Sequence, residues 1–219
     1  SCLRLQSKPL ERVAAEFKQG LGRGFKRFHL VATDLGSYGR ELGYNLSHLL
    51  KEVTKEKGDY ELLLPNVNPH FLKEMFEDLA PVFRSGKIGL LGAPAESGSN
   101  RILEAMKRKH TVEEFKRCIA LINDEFPDTL VWTQLMVGFP GETEEDFEAT
   151  LRLLDEVAFD YIQVFRFSRR PTTPASYFQN QVPESISLNR YRRALVKAIY
   201  RELSRKIERS SANDLNVGI

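Results

Sequence analysis

One rhythm constrains this chain more than any other feature. A short apolar run, a loop rich in small residues and an amphipathic stretch follow one another, five times over. The apolar runs are 25–33, 60–64, 87–91, 129–137 and 161–167. Helical patterns fall at 8–21, 46–56, 68–80, 100–108, 111–126 and 143–156, and a long one closes the chain at 187–210. Alternating strands and helices predict parallel strands joined by helical crossovers. The runs are almost continuously apolar, as expected of strands covered on both faces. Thr111 with Glu114, and Thr143 with Asp146, have the spacing of reciprocal helix-start caps.

Composition narrows the class. The chain has 219 residues, enough for a core that needs no disulfide or metal staple. Lys and Arg number 32 against 30 Asp and Glu, a net charge of +2, which excludes a uniformly basic polyanion coat. No apolar run has the roughly 18–20 residues of a membrane helix. The first residues are basic and amphipathic, without the apolar core of a secretory signal. Two cysteines, Cys2 and Cys118, make no disulfide framework, so a reducing, cytoplasmic setting is expected.

In parallel α/β architectures ligands bind beyond the carboxyl ends of the strands. Four such loops stand out: TDLGSYG at 33–39, APAESGSN at 93–100, GFPGET at 138–143 and SRRPTTP at 168–174. Small residues there allow close approach of a ligand, and hydroxyls and charges can hold it. Read singly, the glycines and prolines merely turn the chain. There is no phosphate-binding Walker loop, GxGxxG, GxSxG or HExxH motif. His29, His48, His70 and His110 lack metal-ligand spacing and are expected at the surface or at helix ends. Cys118, beside Phe115, Ile119 and Ile122, reads as a small buried hydrophobe.

Longer motifs add a family resemblance. APAESGSNRILEAMKRKHTVEEF, MVGFPGETEEDFEAT and FSRRPTTPAS occur in the order and spacing of the radical S-adenosylmethionine (SAM) methylthiotransferases, and SKPLERVAAEF and VATDLGSYG resemble that family's first helix and second strand. The resemblance covers most of residues 7–190. It implies a partial (β/α)6 TIM-like barrel, residues 1–180, with a helix at 187–210 packed on it or extending from it. It also implies a [4Fe–4S] cluster, held by a C-x3-C-x2-C loop, and SAM as cofactors. SAM would be cleaved reductively to a 5′-deoxyadenosyl radical, and a methylthio group would be placed on a tRNA adenosine or a ribosomal protein. An electron donor such as flavodoxin or ferredoxin follows from that chemistry. By resemblance, Asp34 and Ser37 face the methionine end of SAM. Ser97 and Ser99 lie near its ribose, and Gly138, Phe139 and Gly141 lie along its adenine. Ser168 and Arg169 face substrate or cofactor. No catalytic residue is assigned.

The sequence departs from the family in several places. The C-x3-C-x2-C motif is absent, and Cys2 is the one candidate cluster ligand. One thiolate does not hold a cluster, so the chain as written is expected to be inactive alone. The first strand, the family's amino-terminal domain and its RNA-binding carboxyl-terminal domain are also missing. A fragment or an omitted loop is expected in preference to a natural cluster-less relative. Glu96 replaces the usual Gln, Gln134 an Asp and Thr172 a Gly, which leaves the product open. Other radical SAM chemistry (C–S or C–C bond formation, methyl transfer) is the first rival. A non-catalytic barrel that binds a nucleotide or RNA is the second.

The last helix carries eight Lys and Arg against two Glu between positions 190 and 209. That stripe could face RNA phosphates. Alternatively it is a solvated face, with the row Tyr191, Leu195, Ile199, Leu203 and Ile207 packed on the barrel.

Overall fold

A computed structural model describes residues 5–216, with side chains to residue 211. It contains five strands, β1 (Arg27–His29), β2 (Glu61–Leu64), β3 (Ile88–Gly92), β4 (Leu130–Val137) and β5 (Tyr161–Arg166). The α-helices are α1 (Leu10–Gly22), α2 (Leu46–Val53), α3 (Pro69–Glu74), α4 (Phe76–Arg84), α5 (Asn100–Ala105), α6 (Val112–Glu125), α7 (Glu144–Glu156) and α8 (Glu184–Asn216). Strand order follows the chain, and β1–β2, β2–β3 and β4–β5 all pair in parallel. Two compact units result. One runs to Pro94 and includes residues 121–130; the other comprises residues 95–120 and the chain from Val131 onward.

In the first unit, α1 buries Ala14 and Phe17, and the Phe17 ring meets Phe28 and Tyr60 with centroids 4.5 and 5.1 Å apart. The first strand is shorter than its sequence pattern, three residues instead of nine, although Leu30 N–H still donates to the Leu63 carbonyl at 3.0 Å. The helix expected over 68–80 is two helices. Met75 at φ −107° leaves the helical region and divides them. Asn45 caps α2: its side chain accepts from Ser47 and His48 N–H.

In the second unit, β4 alternates. Val131, Thr133, Leu135 and Val137 are fully buried, while Trp132, Gln134 and Met136 are half-buried. One face therefore packs on helices and the other is left partly open, unlike the fully covered strand its apolar run predicts. Val137, Phe147, Leu151 and Ala194 form a buried cluster against which Val164 and Tyr191 pack. Both sequence-predicted capping boxes form. Glu114 N–H donates to Thr111 Oγ1 and Thr111 N–H to Glu114. Thr143 and Asp146 exchange the same pair.

The long helix is the main departure. Five of its basic residues point back at the acidic α7 and the turns on either side of it. Arg190 meets Glu142 and Glu144, Arg193 meets Glu144 and Glu148, Lys197 meets Asp155, and Arg205 and Arg209 meet Asp160. The row expected to pack is instead exposed from its middle onward: Ile199 is 50% exposed, Leu203 55% and Ile207 67%. Five of the eight cations of the stripe are thus held by carboxylates, while Arg192 and Lys206 are exposed to solvent. Ala194 and Ala198, both fully buried, let the helix backbone come close, and the long cations reach over it to their partners. Glu202 accepts the Ile162 N–H at 2.6 Å, so α8 also satisfies a backbone donor of β5.

Gly98 shows how tight the packing is. A Cβ there would lie 2.4 Å from the Ala149 carbonyl oxygen and 2.6 Å from Thr150 Cα. Backbone cannot yield as a flexible side chain can. Gly98→Ala should lower stability by about 2–3 kcal/mol, within the range for overpacked sites, measurable by urea unfolding.

Candidate functional site

The candidate site in the second unit is built by the loop after β3 and the turn after β4. Residues 95–99 are almost wholly buried although they are a loop. Glu96 N–H donates to the Gln134 carbonyl at 2.9 Å and Met136 N–H to the Glu96 carbonyl at 2.8 Å, so the loop adds one bridge to β4. That bridge holds Glu96 at φ +65°, a region a side chain rarely adopts. Its carboxylate, 2% exposed, accepts from Gln134 Nε2 at 2.9 Å and pairs with the Arg108 guanidinium. The buried Glu96 and the half-buried Arg108 and Gln134 thus form a polar group on the partly open face of β4. In sequence, Glu96 and Gln134 stand out only as departures from a family pattern. Arg108 gives no signal, because nothing local shows that a cation twelve positions downstream folds back onto the loop.

The hydroxyls of Ser97 and Ser99 are already engaged. Ser97 Oγ lies 3.3 Å from Thr150 Oγ1, and Ser99 Oγ donates to Asp146 Oδ1 at 2.6 Å. Asp146 also pairs with Arg101 and accepts from Thr143 N–H and Oγ1. Burial raises its carboxyl, but the Arg101 guanidinium and the Ser99 and Thr143 donors outweigh that and hold it well below the usual carboxylate range.

The turn after β4 is fixed from beneath. Gly138 at φ +75° and Gly141 at φ +84° make it possible. Gly138 N–H donates to Glu142 Oε2 at 2.8 Å, and Arg190 NH1 reaches both the Glu142 carbonyl and Oε2 at 2.9 Å. Burial pushes the Glu142 carboxyl up, against the pull of Gly138 N–H and Arg190. Phe139 is buried against Phe167 and Phe178, edge to face. Its ring therefore supports the turn from within. After β5, Ser168 and Arg169 are exposed, with Arg169 Nε donating to the Ser176 carbonyl at 2.8 Å.

Asp34 and Ser37 belong to the first unit. Asp34 Oδ1 accepts from Gly36 N–H at 3.0 Å and Asn68 N–H at 3.3 Å, and Ser37 Oγ donates to the Asp34 carbonyl at 2.8 Å. Both shape the turn after β1.

Cys2 lies outside the described residues. Cys118 is buried, its thiol pushed up to about 12 by burial, so it is an inert core residue. No group of three His, Cys, Asp or Glu among the described residues could hold a metal. These residues therefore do not fit an iron–sulfur cluster, which takes about four ligands, mostly thiolates. His110 is buried beside Phe115, at the start of α6. No helix among the described residues is long and apolar enough to cross a membrane.

Known proteins resemble this arrangement. The Radical SAM superfamily pattern matches residues 3–154. Threonylcarbamoyladenosine tRNA methylthiotransferase MtaB of Thermotoga maritima is 36% identical over 184 residues, 83% of this chain and 42% of that protein. The tRNA-2-methylthio-N(6)-dimethylallyladenosine synthase of Acetivibrio thermocellus is 36% identical over 197 residues, 88% of this chain and 40% of that protein. The chain thus spans about two fifths of these relatives' length. Among solved structures, coproporphyrinogen III oxidase from Escherichia coli, a radical SAM enzyme, superposes with a TM-score of 0.62 at 16% identity, over 92% of this chain and 49% of that one. Methylornithine synthase gives 0.57 at 13%, over 91% and 55%. At such identities the likeness speaks for the fold alone, the α/β partial barrel with parallel strands.

Asp146→Asn should cost about 1–3 kcal/mol at pH 7, the range for a buried group left with imperfect partners. A depressed folded-state carboxyl stabilises above its unfolded value, near pH 4, and that contribution fades as pH falls below it. The gap between wild type and variant in urea unfolding should therefore narrow at pH 3.

Proposed function

Because the chain belongs to the radical SAM superfamily, whose enzymes use SAM and a [4Fe–4S] cluster, we propose that it is the SAM-binding barrel portion of a methylthiotransferase acting on tRNA. The observation that carries this reading is the Glu96–Arg108–Gln134 group at the strand tips, in a chain aligned over most of its length with tRNA methylthiotransferases.

Glu96 and Arg108 offer a carboxylate and a guanidinium side by side. The methionine end of SAM carries an ammonium and a carboxylate. The internal pair can exchange its single bond for two bonds to such a zwitterion at little net electrostatic cost. Gln134 Nε2 keeps the Glu96 carboxylate oriented while the exchange takes place. The Gly138–Gly141 turn presents backbone rather than side chain, which suits a flat adenine. Glu142 and Arg190 prevent that turn from relaxing. Bound SAM supplies the adenosyl chemistry of the superfamily; the chain's own residues bind it, orient it and keep its charged end paired. Among the described residues none ligates a cluster, so no step through a cluster is assigned to them. The electron donor, and the choice of a tRNA adenosine over a ribosomal protein, belong to this proposal. The tRNA enzymes among the relatives favour tRNA.

Calorimetry with SAM on this chain tests the binding reading. Wild type should bind, and Glu96→Gln should bind about tenfold more weakly, the value of one charge-assisted hydrogen bond. If wild type shows no SAM binding, or Glu96→Gln binds equally well, the assignment fails. In the full-length protein, mass spectrometry of digested tRNA should reveal a methylthio adduct on adenosine.

A further inference from the structure

A hollow of about 610 Å3 opens between the end of β5 and the start of α8, lined among others by Gly138, Arg166, Ser168, Arg169, Glu184 and Ser187. The alternation of β5 decides which side of the strand it occupies. Ile162 is buried and Val164 packs on the Val137–Phe147–Ala194 cluster; Arg166 continues that row and is paired in register with Val137. Gln163 belongs to the opposite row, beside Gln134. The hollow is therefore on the helix side of the strand, whereas Glu96 and Gln134 are on the other.

Three independent features describe its chemistry. The first is charge: Arg166 and Arg169 both line it. Arg169 commits only Nε to the Ser176 carbonyl, and Arg166 meets one carboxylate, Glu184, at 3.4 Å. The Glu184 side chain is 85% exposed, so it can move aside readily. The second is a buried hydroxyl. Ser187 is 6% exposed and lines the hollow, yet among the described residues its Oγ has no hydrogen-bond partner. The third is the amino terminus of α8, a 33-residue helix whose first N–H groups lie outside its own hydrogen-bond ladder. Two forked cations, a hydroxyl donor and a helix start are the donor set for a phosphate. The loop at the rim runs on through exposed Arg170 and Pro171, which leaves room for a polymer to continue past the hollow.

We propose that this hollow seats a backbone phosphate of the RNA substrate, adjoining the SAM site at the Gly138 turn. This rests on the reading of tRNA as substrate. The test is fluorescence anisotropy of a labelled, unmodified tRNA transcript over a salt series, with wild type, Ser187→Ala and Arg166→Gln. Ser187→Ala should bind about tenfold more weakly, as for one hydrogen bond to a charged group. Arg166→Gln should reduce the slope of log K against log salt by about 1, as when one phosphate goes unneutralised, and leave SAM affinity in calorimetry unchanged. Thermal unfolding checks Ser187→Ala; if that variant is unstable, the Arg166→Gln slope decides alone. Unchanged tRNA affinity and slope in the folded variants would overturn the proposal, as would wild type failing to bind tRNA. So would inorganic phosphate binding with the same Ser187 dependence while tRNA does not bind. If SAM does not bind but both variants lose tRNA as expected, the phosphate seat stands and the methylthiotransferase reading fails.

Discussion

The second unit depends on one buried carboxylate. Asp146 gathers the Ser99 hydroxyl, the Arg101 guanidinium and the Thr143 cap, which come from the loop after β3, from α5 and from the first turn of α7. A buried carboxylate is costly unless its lone pairs are satisfied. Here they are, so one group both starts a helix and fixes a loop. That fixed loop carries Glu96 to β4 and holds it in a left-handed backbone conformation that an isolated loop would abandon.

The second fixed point is Glu142 with Arg190. It joins the turn after β4 to α8 and supplies the acceptor for Gly138 N–H. Together the two carboxylates make the strand tips rigid without placing their own oxygens in the open. This separates support from contact. Ser97, Ser99 and Phe139 have the residue types of ligand contacts, yet their side chains face inward and support the backbone. Arg108 and Gln134 are the half-buried side chains on the other face, paired there with the buried Glu96.

Helix α8 shows how tertiary structure can reverse an amphipathic pattern. The i+4 row from Tyr191 to Ile207 predicts a buried apolar seam. The seam actually used is narrower and belongs to Ala194 and Ala198, because small residues let the helix sit close to α7 and β5. The acidic residues Glu144, Glu148, Asp155 and Asp160 then attract the arginines and lysine inward. Hydropathy read along one helix could not anticipate partners supplied more than forty positions earlier.

By itself the sequence determined the alternation of parallel strands and helices, the two capping boxes and the family resemblance. These rest on local periodicity, on fixed short spacings and on motif order, all of which survive without knowledge of the fold. Tertiary structure alone decided which hydroxyls are already engaged, that Arg108 returns to Glu96, and which face of α8 is covered. Each of those depends on groups distant in the chain competing for the same buried donors and acceptors, and that competition is resolved only when the elements pack.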